Sequence, residues 1–80
     1  MSTLPPISHN ALQMKLGIYK HYKGTLYRVT AIARHSETLE EYVVYTQVDN
    51  TQNTWVRPLS LFLESVNSQP RFRFVSSENG

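Results

Sequence analysis

The sequence contains no cysteine among its 80 residues, and only three glycines and four prolines. The lack of cysteine excludes disulfides, thiolate metal ligands and thiol nucleophiles, so a transition-metal site would need histidine and carboxylate ligands. No apolar run of about 18 residues is present, and the N-terminus lacks the charged and apolar regions of a secretory signal. We therefore expect a soluble cytoplasmic protein that does not associate with membranes.

The sequence also has little excess of charge of either sign. Eight Lys and Arg residues against six Asp and Glu residues give a formal net charge of +2, which is far from the excess of a polybasic protein. A hydrophobic content of 40% and an aromatic content of 11% can supply one core, and a chain this short has no room for a second domain.

The ends of the chain differ from its middle. Pro5 and Pro6 disfavour a helix near the N-terminus, where small polar residues are frequent. The C-terminus is polar and ends in glycine. We predict a flexible N-terminal arm over residues 1–16, one ordered domain over residues 17–75 and a disordered tail over residues 76–80.

Within the predicted domain, short runs rich in β-branched and aromatic residues alternate with turn residues. The predicted strands cover residues 18–22, 26–34, 42–48, 54–57 and 70–75. In the longest of them, simple alternation places Tyr27, Val29 and Ala31 on one face and Ile32 on the other.

Pro58 ends the fourth strand and suits the start of a helical turn over residues 58–63. An open sheet of five short strands would leave both of its faces uncovered. We therefore predict an all-β fold in which about five strands close into a small barrel, with one short helical turn.

The polar loop over residues 35–40 could carry chemistry. His35 with Glu37 or Glu40 could ligate a metal ion or form an acid–base pair. Alternatively, the loop hydroxyls satisfy its own backbone N–H groups. The HxxxH and HExxH patterns are missing, and no Gly-x-Ser-x-Gly motif surrounds Ser36, so a Ser36–His21 pair has little support. We predict no catalytic residue, metal or cofactor.

Trp55 and Arg57 lie two residues apart on one predicted strand and so share a face. An indole beside a guanidinium can bind a planar or anionic group. Alternatively, Trp55 belongs to the core or its rim and Arg57 pairs with one of the acids Glu37, Glu40 and Glu64.

Basic and aromatic residues interleave along the chain, as they do in proteins that bind single-stranded nucleic acid. The basic residues that would carry this alternative function are Lys20, Lys23, Arg28, Arg71 and Arg73. A third interpretation is a structural or partner-binding protein that uses the arm over residues 1–16.

Residues 17–75 also carry a family resemblance, because several short motifs occur in a specific order. The motifs are GIYKHYKGTLY at residues 17–27, ARHSETLE at residues 33–40, WVRPLSLFLE at residues 55–64 and PRF at residues 70–72. In these motifs the chain resembles a small bacterial family, the domain-of-unknown-function 1653 family. The resemblance implies an SH3-like barrel and implies no activity.

These observations predict a non-enzymatic recognition module with a groove for an anionic small molecule or an acidic peptide. Arg57 would bind the anion through two hydrogen bonds, Trp55 would stack on the ligand and Lys23 would attract it. The predicted ligand-binding residues are Tyr22, Lys23, His35, Glu37, Thr38, Glu40, Trp55 and Arg57.

Overall fold

A computed structural model describes residues 4–77. Within this range the chain forms two short helices and seven strands. In chain order they are α1 (His9–Gln13), β1 (Gly17–His21), β2 (Leu26–Arg34), β3 (Glu41–Gln47), β4 (Asn50–Pro58), α2 (Leu59–Phe62), β5 (Ser65–Val66), β6 (Gln69–Pro70) and β7 (Phe72–Ser76). The two helices, of five and four residues, are far too short to span a bilayer.

Five strands form one antiparallel sheet in the order β4-β3-β2-β1-β7, which confirms the predicted all-β fold. The turn from β3 to β4 is shorter than predicted, because β4 already begins at Asn50. β5 and β6 form a separate hairpin, in which Asn67 and Ser68 both have positive φ, at 52° and 67°. Two consecutive residues of this kind are typical of the tight type I′ turn.

The predicted closure into a barrel is not found in the described part of the chain. No ladder joins β4 to β7 between residues 4 and 77, so both strands are sheet edges. The sheet instead curls, with irregularities in the β1–β7, β2–β3 and β3–β4 ladders that bend a sheet locally. The two helices cover its apolar face and contribute Ala11, Leu59 and Phe62 to the core.

One of these irregularities corrects the predicted faces of β2. Val29 pairs with Tyr45 and Ala31 pairs with Val44, so Thr30 is an extra residue without a partner in the ladder. The bulge reverses the alternation beyond it. Val29, 1% exposed, and Ile32 therefore both pack on the core side, although simple alternation places them on opposite faces.

Aromatic rings make up most of the core. Phe62 from α2 stacks on Phe72 from β7 with ring centroids 4.0 Å apart. Tyr19 packs edge-on against Phe62 and Phe74 at 5.4 and 5.3 Å, which are distances typical of favourable aromatic pairs. Phe72 and Phe74 thus face the same side, as the alternation in the last strand predicts.

Part of the predicted N-terminal arm is seated on the sheet. Ser8 caps α1 by accepting a hydrogen bond from the Ala11 N–H at 3.1 Å, and Ala11 is 6% exposed within the core. The Ser8 N–H and hydroxyl both donate to the Glu41 carboxylate. The core thus extends beyond the boundary predicted at residue 17.

At the other end, β7 includes Ser76 from the predicted tail; residues 1–3 and 78–80 lie outside the described range.

Candidate functional site

The residues predicted to line one groove lie at two ends of the sheet. Tyr22 and Lys23 follow β1 in the β1–β2 turn, whereas residues 35–40 connect β2 to β3. β2 has nine residues and, at about 3.3 Å per residue, separates these connections by roughly 27 Å. The structure therefore does not bring the two sets together in one small groove, nor Ser36 beside His21.

In the loop over residues 35–40, the polar groups bond mainly to one another. The His35 Nδ1 accepts hydrogen bonds from the N–H groups of Glu37 and Thr38, at 3.1 and 3.2 Å. The Thr38 hydroxyl accepts from the Glu40 N–H at 3.2 Å, and the Glu40 carboxylate accepts from the Tyr42 hydroxyl at 3.1 Å. His35, Glu37, Thr38 and Glu40 thus build the loop, as the structural alternative proposes.

No three His, Asp or Glu side chains between residues 4 and 77 are grouped closely enough to hold a metal ion. In the loop for which a metal site is one alternative, the His35 Nδ1 accepts hydrogen bonds from two backbone N–H groups.

His21 builds the β1–β2 turn in the same way. Its Nδ1 accepts the Lys23 N–H at 3.1 Å, which leaves the proton of the neutral ring on Nε2. The ring packs 4.5 Å from the Tyr22 ring and 5.0 Å from the Phe72 ring, and 6.4 Å from the Tyr27 ring. Through these contacts, the turn that carries Tyr22 and Lys23 adjoins the aromatic side of the sheet.

Trp55 and Arg57 lie together in a shallow cavity that they share with Tyr27 and Tyr45, which we call the aromatic groove. Its volume is about 240 Å³. The Tyr27 and Tyr45 rings meet edge to face at 5.3 Å, and Trp55 is 49% exposed at the rim. Antiparallel pairing places Trp55 directly opposite Tyr45, so neighbouring strands supply the rings side by side.

The Arg57 guanidinium is held by neutral groups. Its Nε donates to the Tyr45 hydroxyl at 3.3 Å, and its Cζ lies 5.7 Å from the centre of the Phe72 ring. Glu64, one of the acids considered as its partner, binds Arg71 at 2.9 Å instead. Between residues 4 and 77 no carboxylate contacts Arg57, so the predicted structural ion pair of Arg57 is not formed.

Nearby positive charges also affect the pKa of His21. Burial lowers the pKa of His21, and the positive charges of Arg71, Lys23 and Arg57 lower it further. Three cations therefore lie close enough to this ring to disfavour its protonated form. Arg71 is paired with Glu64, whereas no carboxylate binds Lys23 or Arg57 between residues 4 and 77.

Sequence reasoning missed four residues of this site: Tyr27, Tyr45, His21 and Phe72. Each belongs to a different strand. Alternation along each strand predicts on which face of that strand the aromatic side chain lies. The strand order and register that bring these side chains to Arg57 are not visible in the sequence.

The fold and site define a small antiparallel β domain that carries an aromatic groove with a positively charged residue. Residues 17–75 match the model of the family described as "Protein of unknown function (DUF1653)", and the chain belongs to that family. It is also similar to the crystal structure of a family member from Bordetella bronchiseptica. The two share 33% sequence identity with a TM-score of 0.75, over 88% of this chain and 97% of the other. No functionally curated protein matches the chain.

Proposed function

We propose that the protein is a non-enzymatic recognition module whose aromatic groove binds a small anionic ligand or an acidic side chain of a peptide. Arg57 binds the anion, and Trp55 stacks on the part of the ligand next to it. The observation that carries this proposal is a guanidinium positioned by a hydroxyl and a ring face, with no carboxylate contact between residues 4 and 77.

The geometry supports an anion as the ligand. The Arg57 Nε donates to the Tyr45 hydroxyl, which leaves both Nη groups of the guanidinium available to donate to a carboxylate or phosphate. The Phe72 ring beneath the guanidinium restricts its movement, which reduces the entropy lost on binding. Arg57 is thus oriented before the ligand arrives.

The rings support a ligand with a flat or apolar part next to its anionic group. Trp55 is about half exposed on the edge strand, while Tyr27 and Tyr45 form the floor of the groove. Stacking on an exposed indole favours planar groups. Lys23, close enough to affect His21, adds a longer-range attraction for negative charge.

The test is a fluorescence titration of Trp55, the only tryptophan in the sequence. The probes are adenosine monophosphate, benzoate and a short single-stranded oligonucleotide, each at low and high salt. We expect saturable binding of a small anion that persists in high salt. Binding of the oligonucleotide alone, lost in high salt, would assign the function to nucleic acid instead.

The matched variants are Arg57→Lys and Arg34→Lys. Arg57→Lys keeps the charge but loses the planar fork, so we expect the small anion to bind about 10-fold more weakly. Arg34 pairs with Glu41 in the β2–β3 ladder and does not line the aromatic groove, so Arg34→Lys should leave the affinity unchanged. Equal affinity in Arg57→Lys and the wild type would overturn the role of Arg57.

A further inference from the structure

A second cavity lies at the end of the β1–β7 pair. Its volume is about 160 Å³, which is room for a small oxyanion or several waters. Side chains from β1, the β1–β2 turn, β6 and β7 line it: Lys20, His21, Tyr22, Gln69, Pro70 and Arg73. We call it the lysine–arginine pocket. None of these lining residues is an acid.

Two cations lie side by side at this pocket. Lys20 and Arg73 are direct partners in the antiparallel β1–β7 ladder, and both are exposed. Like charges directly opposite each other in a sheet destabilise it. Between residues 4 and 77 neither side chain has an ion pair or a side-chain hydrogen bond, so the protein itself does not offset this repulsion there.

The remaining lining groups suit an oxyanion. The Gln69 amide can donate hydrogen bonds, and the tight turn at Asn67 and Ser68 folds β6 back so that Gln69 forms one wall. His21 also lines the pocket, while its ring packs against Phe72 and Tyr27 on the aromatic side of the sheet. Two neighbouring cations and an amide are the donors that this pocket offers to an oxyanion.

We propose that the lysine–arginine pocket is a phosphate-binding site, formed by Lys20 and Arg73 and separate from the aromatic groove. Phosphate fits the donors because its tetrahedral oxygens can accept from both cations at once, which a single carboxylate does less completely. Free phosphate and a phosphodiester backbone share this chemistry, and the experiment distinguishes them. The proposal does not depend on Arg57 or Trp55.

The test is an NMR titration of the ¹⁵N-labelled full chain with inorganic phosphate, with chloride at equal ionic strength as the reference. We expect saturable shifts of the Lys20, Tyr22 and Arg73 amides and a rise in the pKa of His21. Lys20→Gln and Arg73→Gln should each weaken phosphate binding about 3- to 10-fold, because each removes one charged partner. The control variant Lys15→Gln, beside Phe74, should leave it unchanged.

Parallel titrations with a short oligothymidylate identify the source of the phosphate. Tighter binding of the oligonucleotide than of phosphate, with the same two variants affected, supports a phosphodiester ligand; the reverse order supports a free phosphate. The proposal is overturned if phosphate shifts no amide beyond chloride, or if Lys15→Gln weakens binding as much as Lys20→Gln. An Arg57→Lys variant should bind phosphate at the lysine–arginine pocket as the wild type does. Loss of ligand binding at the aromatic groove would therefore leave this proposal standing.

Discussion

The Arg57 guanidinium on edge strand β4 lies over the ring of Phe72 on the opposite edge strand β7, with Cζ 5.7 Å from the ring centre. The curled sheet thus brings side chains of its two edges together without a backbone ladder between them. Phe62 fills the space beside this contact by stacking on Phe72. The anion-binding residue therefore rests on the core, although it belongs to an edge strand.

This contact predicts that Arg57 matters for ligand binding and Phe72 for the stability of the fold. Arg57→Lys should change the free energy of unfolding by less than about 1 kcal/mol, because a partly exposed cation contributes little to stability. Phe72→Ala should cost about 3–5 kcal/mol, because it empties the centre of the core. Urea unfolding of both variants checks this. A similar large loss in both would make Arg57 a structural residue.

A second prediction concerns the loop after β2. His35→Ala should lower the free energy of unfolding by about 1 kcal/mol, because two backbone N–H groups lose their acceptor. His35→Asn should recover much of this loss, since the Asn side-chain oxygen stands where the Nδ1 stands. Urea unfolding distinguishes the two. Equal losses would show that the ring acts through its packing near Tyr42 instead.

A third prediction follows from the surroundings of His21. Its folded-state pKa lies below the ordinary value of 6.5, so between these two values the unfolded chain binds more protons than the folded one. The free energy of unfolding should therefore decrease as the pH falls from 6.5 to the lower folded-state pKa, and this contribution should level off below it.

Urea unfolding across this pH range, in buffer free of phosphate, measures the effect. His21→Asn removes the titrating ring and keeps an acceptor for the Lys23 N–H, so its stability should depend less on pH in the same window. Identical slopes in the variant and the wild type would contradict the assigned role of His21.

A fourth prediction concerns the contact between the N-terminal segment and β3. Ser8→Ala should cost about 1 kcal/mol, because α1 loses its N-cap. The Ser8 hydroxyl, followed by its N–H, holds the pKa of Glu41 below the ordinary value of 4.5. The contribution of Glu41 should thus be present above pH 4.5 and be lost as the pH falls through its lower folded-state pKa.

A double-mutant cycle tests this contact. Ser8→Ala and Glu41→Gln should be non-additive in urea unfolding, because Ser8→Ala removes the hydroxyl that donates to the Glu41 carboxylate, while the Ser8 N–H still donates to it. Glu37→Gln is the control, since its carboxylate makes no hydrogen bond within residues 4–77, and it should add independently to Ser8→Ala. Additivity in both cycles would contradict the seating of the N-terminal segment through Glu41.

Local patterns predicted much of the secondary structure. β-branched and aromatic runs marked the five strands of the main sheet, and Pro58 marked the start of α2. The helix at His9–Gln13 was missed, because its stability depends on burying Ala11 against the sheet and on the Glu41 carboxylate beyond Ser8. A helix of five residues has little stability of its own.

Only the part of the candidate site that depends on neighbours along the chain could be predicted. Trp55 and Arg57 share a face because they are two residues apart, which is a local property of any strand. His35 and Lys23 seemed compatible with them, because the sequence does not show that nine residues of β2 separate their loops. The hydrogen bonds within the loop over residues 35–40 also depend on its folded backbone, which the sequence pattern does not show.

The sequence by itself determined the class of fold, the position of each main strand and the pairing of a tryptophan with an arginine on one face, because these depend on neighbours along the chain. The tertiary structure decided the bulge at Thr30, the open edges of the sheet and the meeting of Arg57 with Phe72. Those features depend on the register and curvature of the sheet. Register and curvature are set only when strands distant in sequence pair and pack around one core.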